Sequence, residues 1–163
     1  MLEEPTLRKA VELAVQTEQI GRKFYEELSQ KFESEKEVRE IFSQLASDEK
    51  VHENQFKALL ENLTGDDRIA EEYQDYIKAA SVSDFFQTDA FDNITKIDSA
   101  GQALNRAFNF EKTTLLYYEA LRDVLGESQE LNQIIEAEKK HMTNLMKVII
   151  NDAKFRGLQD DWH

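Results

Sequence analysis

Two of the three histidines in this chain stand three residues after a glutamate, in Glu49-Lys50-Val51-His52 and Glu138-Lys139-Lys140-His141. On a helix, residues three apart share a face, so each pair can aim a carboxylate and an imidazole at one point. Oxygen and nitrogen donors converging in this way are chemistry for a divalent metal ion. Cysteine is absent, which excludes disulfides, thiolate zinc sites, iron–sulfur clusters and cysteine nucleophiles. Any site here works with O and N ligands.

The elements that must hold these residues are legible as apolar stripes with spacings of three and four. The first opens at Pro5-Thr6 and runs through Leu7, Val11, Ala14, Glu18, Gly21, Tyr25, Leu28 and Phe32, predicting a helix over 6–32. A second, through Val38, Ile41, Leu45, Glu49, His52, Phe56, Leu59 and Leu63, predicts a helix over 36–63 that stops at Thr64-Gly65-Asp66. The third carries Ile97, Ala100, Leu104, Ala107, Glu111, Thr114, Tyr118, Leu121 and Leu125 over 97–125, ending at Gly126. The fourth carries Leu131, Ile134, Glu138, His141, Leu145, Val148 and Asp152 over 127–153. Residues 64–96 read as a long crossover with a short helix near Ile69 to Ala80 and a Phe85-Phe86 pair; the tail 154–163, with Trp162, could either dock or project. Two tight hairpins joined by one crossover predict an all-α, ferritin-like, up-down-down-up four-helix bundle.

An internal repeat supports the pairing. Glu18, Phe24, Tyr25, Glu26 and Leu28 align in register with Glu111, Tyr117, Tyr118, Glu119 and Leu121, and Glu49-x-x-His52 aligns with Glu138-x-x-His141. The chain reads as a duplicated hairpin. Six charged or imidazole residues therefore interrupt the inward stripes: Glu18, Glu49, His52, Glu111, Glu138 and His141. Four carboxylates buried together resist desolvation and repel one another. Two divalent cations would balance them. The competing reading pairs these residues with Arg22, Arg39 or Arg106 as ordinary buried ion pairs, which seldom stabilise relative to apolar replacements.

Length and charge narrow the rest. At 163 residues the chain is one domain, 1–163, with enough length for a sizeable core. A single Pro and five Gly favour long helices, and a net charge of -13 argues against nucleic acid and anionic membrane as partners. No apolar run approaches the length needed to span a bilayer. A cytoplasmic location is expected.

With these motifs in place, the chain resembles the ferritin-like di-iron carboxylate proteins and is most similar to the bundle domain of rubrerythrins, over almost all of residues 6–153. The resemblance implies Glu18, Glu49, Glu111 and Glu138 as carboxylate ligands, with Glu49 and Glu138 bridging and His52 and His141 as terminal nitrogen ligands. It places Tyr25, the candidate catalytic residue, near the metals. It further implies two iron ions per chain, with manganese or zinc as other occupants, and reduction of peroxide or O2 by a non-haem di-iron oxidoreductase. Rubrerythrins usually carry a further Glu three residues after the third-helix ligand; here that position is Thr114, which puts redox-linked ligand exchange in doubt. The lack of cysteine leaves no place for a rubredoxin-type iron site, so an external electron donor is expected. A homodimer is the expected assembly. A ferroxidase or iron-handling role and a metal-free helical interaction module remain as alternatives.

Several neighbours carry open readings. Thr114 and its repeat partner Gly21 are small and inward, either leaving room for O2 or peroxide or allowing close helix packing. Tyr25 and Tyr118 either hydrogen-bond a ligand carboxylate, relay protons or electrons, or simply fill the core. Asp48, one turn before His52, is expected to orient that imidazole, with Ala137 in its place in the other half. Phe24, Phe108, Phe110 and Tyr117 are expected to pack against the crossover or a second subunit. Lys50, Lys139 and Lys140 point outward by helical phase.

Overall fold

The computed structural model describes residues 4–80 and 94–160, with the side chains of 155, 156 and 158–160 excepted. The Phe85-Phe86 pair, Trp162 and His163 lie outside the described residues. Helix α1 (Leu7–Lys31) begins where the Thr6 side chain accepts from the Lys9 amide at 3.1 Å, a cap for one otherwise unpaired first-turn N–H. A four-residue turn leads to α2 (Lys36–Glu61). The crossover contains α3 (Glu71–Ala80) and a 3-10 turn at Ile94–Lys96. Helix α4 (Ala100–Leu125) then joins α5 (Gln129–Asp160) through Gly126, whose φ of 86° is a conformation that glycine adopts without strain.

Two boundaries differ from the periodicity. Helix α4 starts three residues later than Ile97, because Ser99 accepts from the Gln102 amide at 3.2 Å while the Gln102 side chain accepts from the Asp98 amide at 2.8 Å. Ser99 thereby caps a first-turn amide, and Gln102 reaches back to the amide before the cap, which together define the start. Helix α5 continues to Asp160, beyond the expected end at 153, so the described part of the tail extends the last helix.

Helix directions follow from which residues meet. Tyr25 of α1 bonds Glu111 of α4, while Tyr118 of α4 bonds Glu18 of α1. Rising along one helix means descending the other, so α1 and α4 are antiparallel. Asp48 meets His141 and His52 meets Glu138, giving the same result for α2 and α5. The crossover must therefore travel the length of the bundle. Its beginning is tied to the start of α1 by the Thr6–Arg68 bridge and the Leu7 amide on the Asp67 carbonyl at 2.7 Å. Its far end is tied to the end of α1 by Lys31 Nζ donating to the Ile94 carbonyl at 2.8 Å. The architecture is the all-α, ferritin-like bundle with up-down-down-up order.

The core is split into two apolar clusters. One contains Val11, Ala14, Phe56, Tyr117, Leu121, Leu131 and Ile134, with Ile77 of α3 packed on it. The other contains Leu28, Phe42, Leu45, Leu104, Ala107, Phe110 and Leu145. Each fully buried side chain of this size contributes roughly 1.5–3 kcal/mol. These two ends stabilise a fold whose middle layer is polar. Phe24, Phe110 and Tyr117 are all buried in these clusters, so they fill the bundle interior, although Tyr117 shares its cluster with α3. Phe110 lies over Gly21: a Cβ there would meet Phe110 Cε1 at 2.9 Å and Glu49 Oε2 at 3.1 Å. The glycine allows close helix packing, and its face holds an aromatic ring where room for a small oxidant was one of the two expectations.

Gly21→Ala gains about 1 kcal/mol of helix propensity but forces Phe110 and Glu49 aside, at about 1–3 kcal/mol for overpacking. A net loss of about 1 kcal/mol in denaturant unfolding is expected; a stabilised variant would show that the ring yields freely.

Candidate metal centre

Between the two apolar clusters lie all six residues that interrupted the stripes, and all are buried: Glu18 from α1, Glu49 and His52 from α2, Glu111 from α4, and Glu138 and His141 from α5. They gather into two groups, Glu18–Glu49–His52–Glu138 and Glu49–Glu111–Glu138–His141, in each of which one ligand atom per residue lies within 4.8 Å of all the others. Glu49 and Glu138 belong to both. The two oxygens of Glu138 divide between the groups, Oε1 at 2.9 Å from His52 Nδ1 and Oε2 at 3.6 Å from His141 Nδ1. The imidazoles stack with centroids 5.5 Å apart.

Each solitary glutamate is held from the opposite hairpin. Tyr25 donates to Glu111 Oε1 and Tyr118 to Glu18 Oε1, both at 2.5 Å. The remaining oxygens, Glu18 Oε2 and Glu111 Oε2, have no hydrogen-bond partner among the described residues, and neither do Glu49 Oε1, both Glu138 oxygens or Nδ1 of either histidine. The 2.9 Å approach of His52 to Glu138 lacks the alignment of a hydrogen bond, so these atoms are close without satisfying one another. Orphaned buried polar atoms are costly. Here the lone pairs of six side chains from four helices share a space that a pair of cations fits in donor type, count and charge.

Arginine does not supply the compensation at the places expected for Arg22 and Arg39. Arg22 turns to Glu53 at 3.6 Å, and Arg39 donates to the Glu33 carbonyl at 2.9 Å. Arg106 lines an open cleft at the start of α4 with Lys96 and Gln102. Lys50, Lys139 and Lys140 are exposed, as helical phase requires.

The structure corrects the reading of Asp48. Its Oδ2 meets Nε2 of His141 at 3.0 Å, across the bundle, while Gln44 donates to its Oδ1 at 2.9 Å. His52 is on the same helix as Asp48 but directs Nδ1 inward to Glu138, so the contact goes to the facing helix. Two features escaped the sequence reading. Glu53 is 1% exposed, sheathed by Lys57 at 2.7 Å and Lys50 at 3.3 Å; spacings of four and three on one helix were its available signal. Thr114 is buried with its Oγ1 unpartnered, whereas Thr17 and Thr113 bond carbonyls four residues back.

Without cations the cluster holds protons. Burial, then the charge of neighbouring carboxylates, raises Glu49 and Glu111 well above the usual carboxylate range. Burial works to lower the histidines, but the surrounding carboxylates outweigh it and carry His52 up to about 10 and His141 up to about 12. For Glu138, burial is outweighed by the close protonated groups around it, Glu111 and the two histidines, which hold it below the usual range. Tyr25 and Tyr118 are pushed well above 10.0 by burial and adjacent carboxylates, so their hydroxyls stay donors.

Among the described residues, no helix is long and apolar enough to cross a membrane. Fold and site together define a ferritin-like bundle with a buried carboxylate–imidazole cluster suited to metal. Comparison with known families agrees: the rubrerythrin family model matches residues 9–97, more than half of the 163-residue chain. The chain belongs to the rubrerythrin family. No curated protein and no solved structure gave a significant match. Glu111, Glu138 and His141 lie beyond the matched span, so their place in the cluster rests on the geometry.

Two outcomes test this electrostatic picture. Tyr25→Phe should lose about 2 kcal/mol in denaturant unfolding, since it strands a buried acceptor, and Tyr118→Phe should lose a similar amount; no loss in either would separate the hydroxyls from the carboxylates. Because Glu49, Glu111 and the histidines keep protons in the folded state that the unfolded chain gives up at lower pH, the metal-depleted protein must lose stability as pH rises. The histidine contribution is complete below 6.5 and falls away toward 10 and 12. The melting temperature in chelator should thus drop from about pH 6 to about pH 9; a flat or rising profile would contradict it.

Proposed function

We propose that this protein is a non-haem di-iron oxidoreductase that reduces peroxide or O2 with electrons from an external donor. The observation that carries this reading is the pair of four-residue groups sharing Glu49 and Glu138. In it, Glu18 and His52 would hold one metal and Glu111 and His141 the other, with Glu49 and Glu138 available to both. Iron bound there would act as Lewis acid and give one electron from each Fe2+, so that hydrogen peroxide and two protons become two waters.

The chain's own residues do the remaining work. Tyr25 and Tyr118 fix the outer oxygens of Glu111 and Glu18, leaving each inner oxygen free to ligate. They act as positioning residues, since each hydroxyl is occupied by a carboxylate. Asp48 fixes the ring of His141. Thr114 Oγ1 is an uncommitted buried hydroxyl one turn along the inward face from Glu111, able to donate to an oxygen species beside the carboxylates. The apolar clusters on both sides keep bulk water from the reacting layer.

The test is anaerobic titration with Fe2+ followed by peroxide. About two Fe2+ should bind per chain, and about one peroxide should be consumed per pair of irons with formation of ferric absorption. Glu138→Ala should weaken binding at both positions, whereas Glu18→Ala should weaken one. No reaction above that of free iron would refute the oxidoreductase. Release of ferric iron without turnover on adding a reductant would favour the ferroxidase reading, and failure to bind metal at all would favour a helical interaction module.

A further inference from the structure

The two halves of the centre match closely in their ligand groups but differ behind the histidines. Tyr25 on Glu111 mirrors Tyr118 on Glu18, and Glu49 and Glu138 are common to both groups. Each histidine directs Nδ1 inward: His141 lies 3.7, 3.5 and 3.6 Å from Glu49, Glu111 and Glu138, and His52 lies 3.7 and 2.9 Å from Glu18 and Glu138. Among the described residues, only His141 has a carboxylate behind it. Asp48 Oδ2 meets its Nε2 at 3.0 Å, and Asp48 is itself held by Gln44 on the other oxygen. The repeat places Ala137 where a second aspartate would stand, and among the described residues no carboxylate meets Nε2 of His52.

Resting on the di-metal reading above, we propose that the two metal positions are inequivalent and that Asp48 makes the His141 position the tighter, so that it fills first. A carboxylate accepting from Nε2–H keeps a proton on that nitrogen, so that the Nδ1 proton is the one a metal displaces and Nδ1 is the atom that ligates. It also locks the ring plane and increases the electron density of the donor. His52 has packing against His141 to orient it but, among the described residues, no carboxylate to select its tautomer, and its ring must be ordered when metal arrives. Asp48 is suited to the task because its side chain is 35% exposed, so its charge remains hydrated and does not add a fifth desolvated carboxylate to the cluster. The duplicated hairpin thus carries one pre-oriented imidazole and one that binding must orient.

The experiment is anaerobic titration of the full chain with Co2+, followed by visible absorption and calorimetry, which requires no turnover. The unaltered protein should take up two ions in resolved steps about tenfold or more apart. His141→Ala should remove the tight step and His52→Ala the weak one. Asp48→Asn, which keeps the shape but not the charge, should weaken the tight step by about 10–100-fold and leave the other within a few-fold. Ala137→Asp, at a half-buried position, should strengthen the weak step. Two identical steps in the unaltered chain, a reversed assignment of the histidines, or equal or absent effects of Asp48→Asn on both steps would overturn the inference while leaving the di-metal reading intact. Failure of the unaltered chain to bind two ions would overturn both.

Discussion

Four glutamates held together in a protein interior are the constraint around which this molecule is organised. Desolvation and mutual repulsion both oppose such a layer, and each effect is worth several kcal/mol per ion in a low-dielectric setting. The bundle answers with long helices, two apolar clusters that dominate the folding energy, and donors placed on every outward oxygen of the solitary glutamates. Protons retained on Glu49, Glu111 and the histidines are the metal-free form of the same compensation. Cations would supply it more completely, because they could satisfy lone pairs that no donor among the described residues reaches.

The duplication gives this arrangement its economy. Each hairpin contributes one solitary glutamate, one Glu-x-x-His pair and one tyrosine, and each tyrosine serves the other hairpin's glutamate. Neither hairpin holds a full ligand group of its own, since each group draws on both. Departures from the symmetry are therefore informative. Gly21 faces Phe110 and Glu49, whereas its repeat partner Thr114 carries an unspent hydroxyl; Asp48 backs one histidine, whereas Ala137 stands in the aligned place.

Most of the bundle and all six cluster residues were legible in the sequence, because a charged residue inside an apolar stripe has few structural explanations and this one recurs in register. What escaped is what depends on contacts between helices. Asp48 shares a helix with His52, and one-dimensional spacing pointed there, yet its partner lies 93 residues away on the facing helix. Glu53 escaped too, because its spacing to Lys50 and Lys57 does not show that those side chains cover it. The opening of α4 was misplaced because Ile97 continues the apolar spacing, while Ser99 and Gln102 set the true start through their caps. Phe110 over Gly21 could not be read from either helix alone.

The bonds that close the polar layer join residues 86 and 100 apart in the chain. Each hairpin can zip up from sequence neighbours within its own span, a low-cost event, whereas the layer closes only after the crossover has carried the second hairpin the length of the first. The polar layer is thus the part of the fold with the largest loop-closure cost, and neither half can complete it alone.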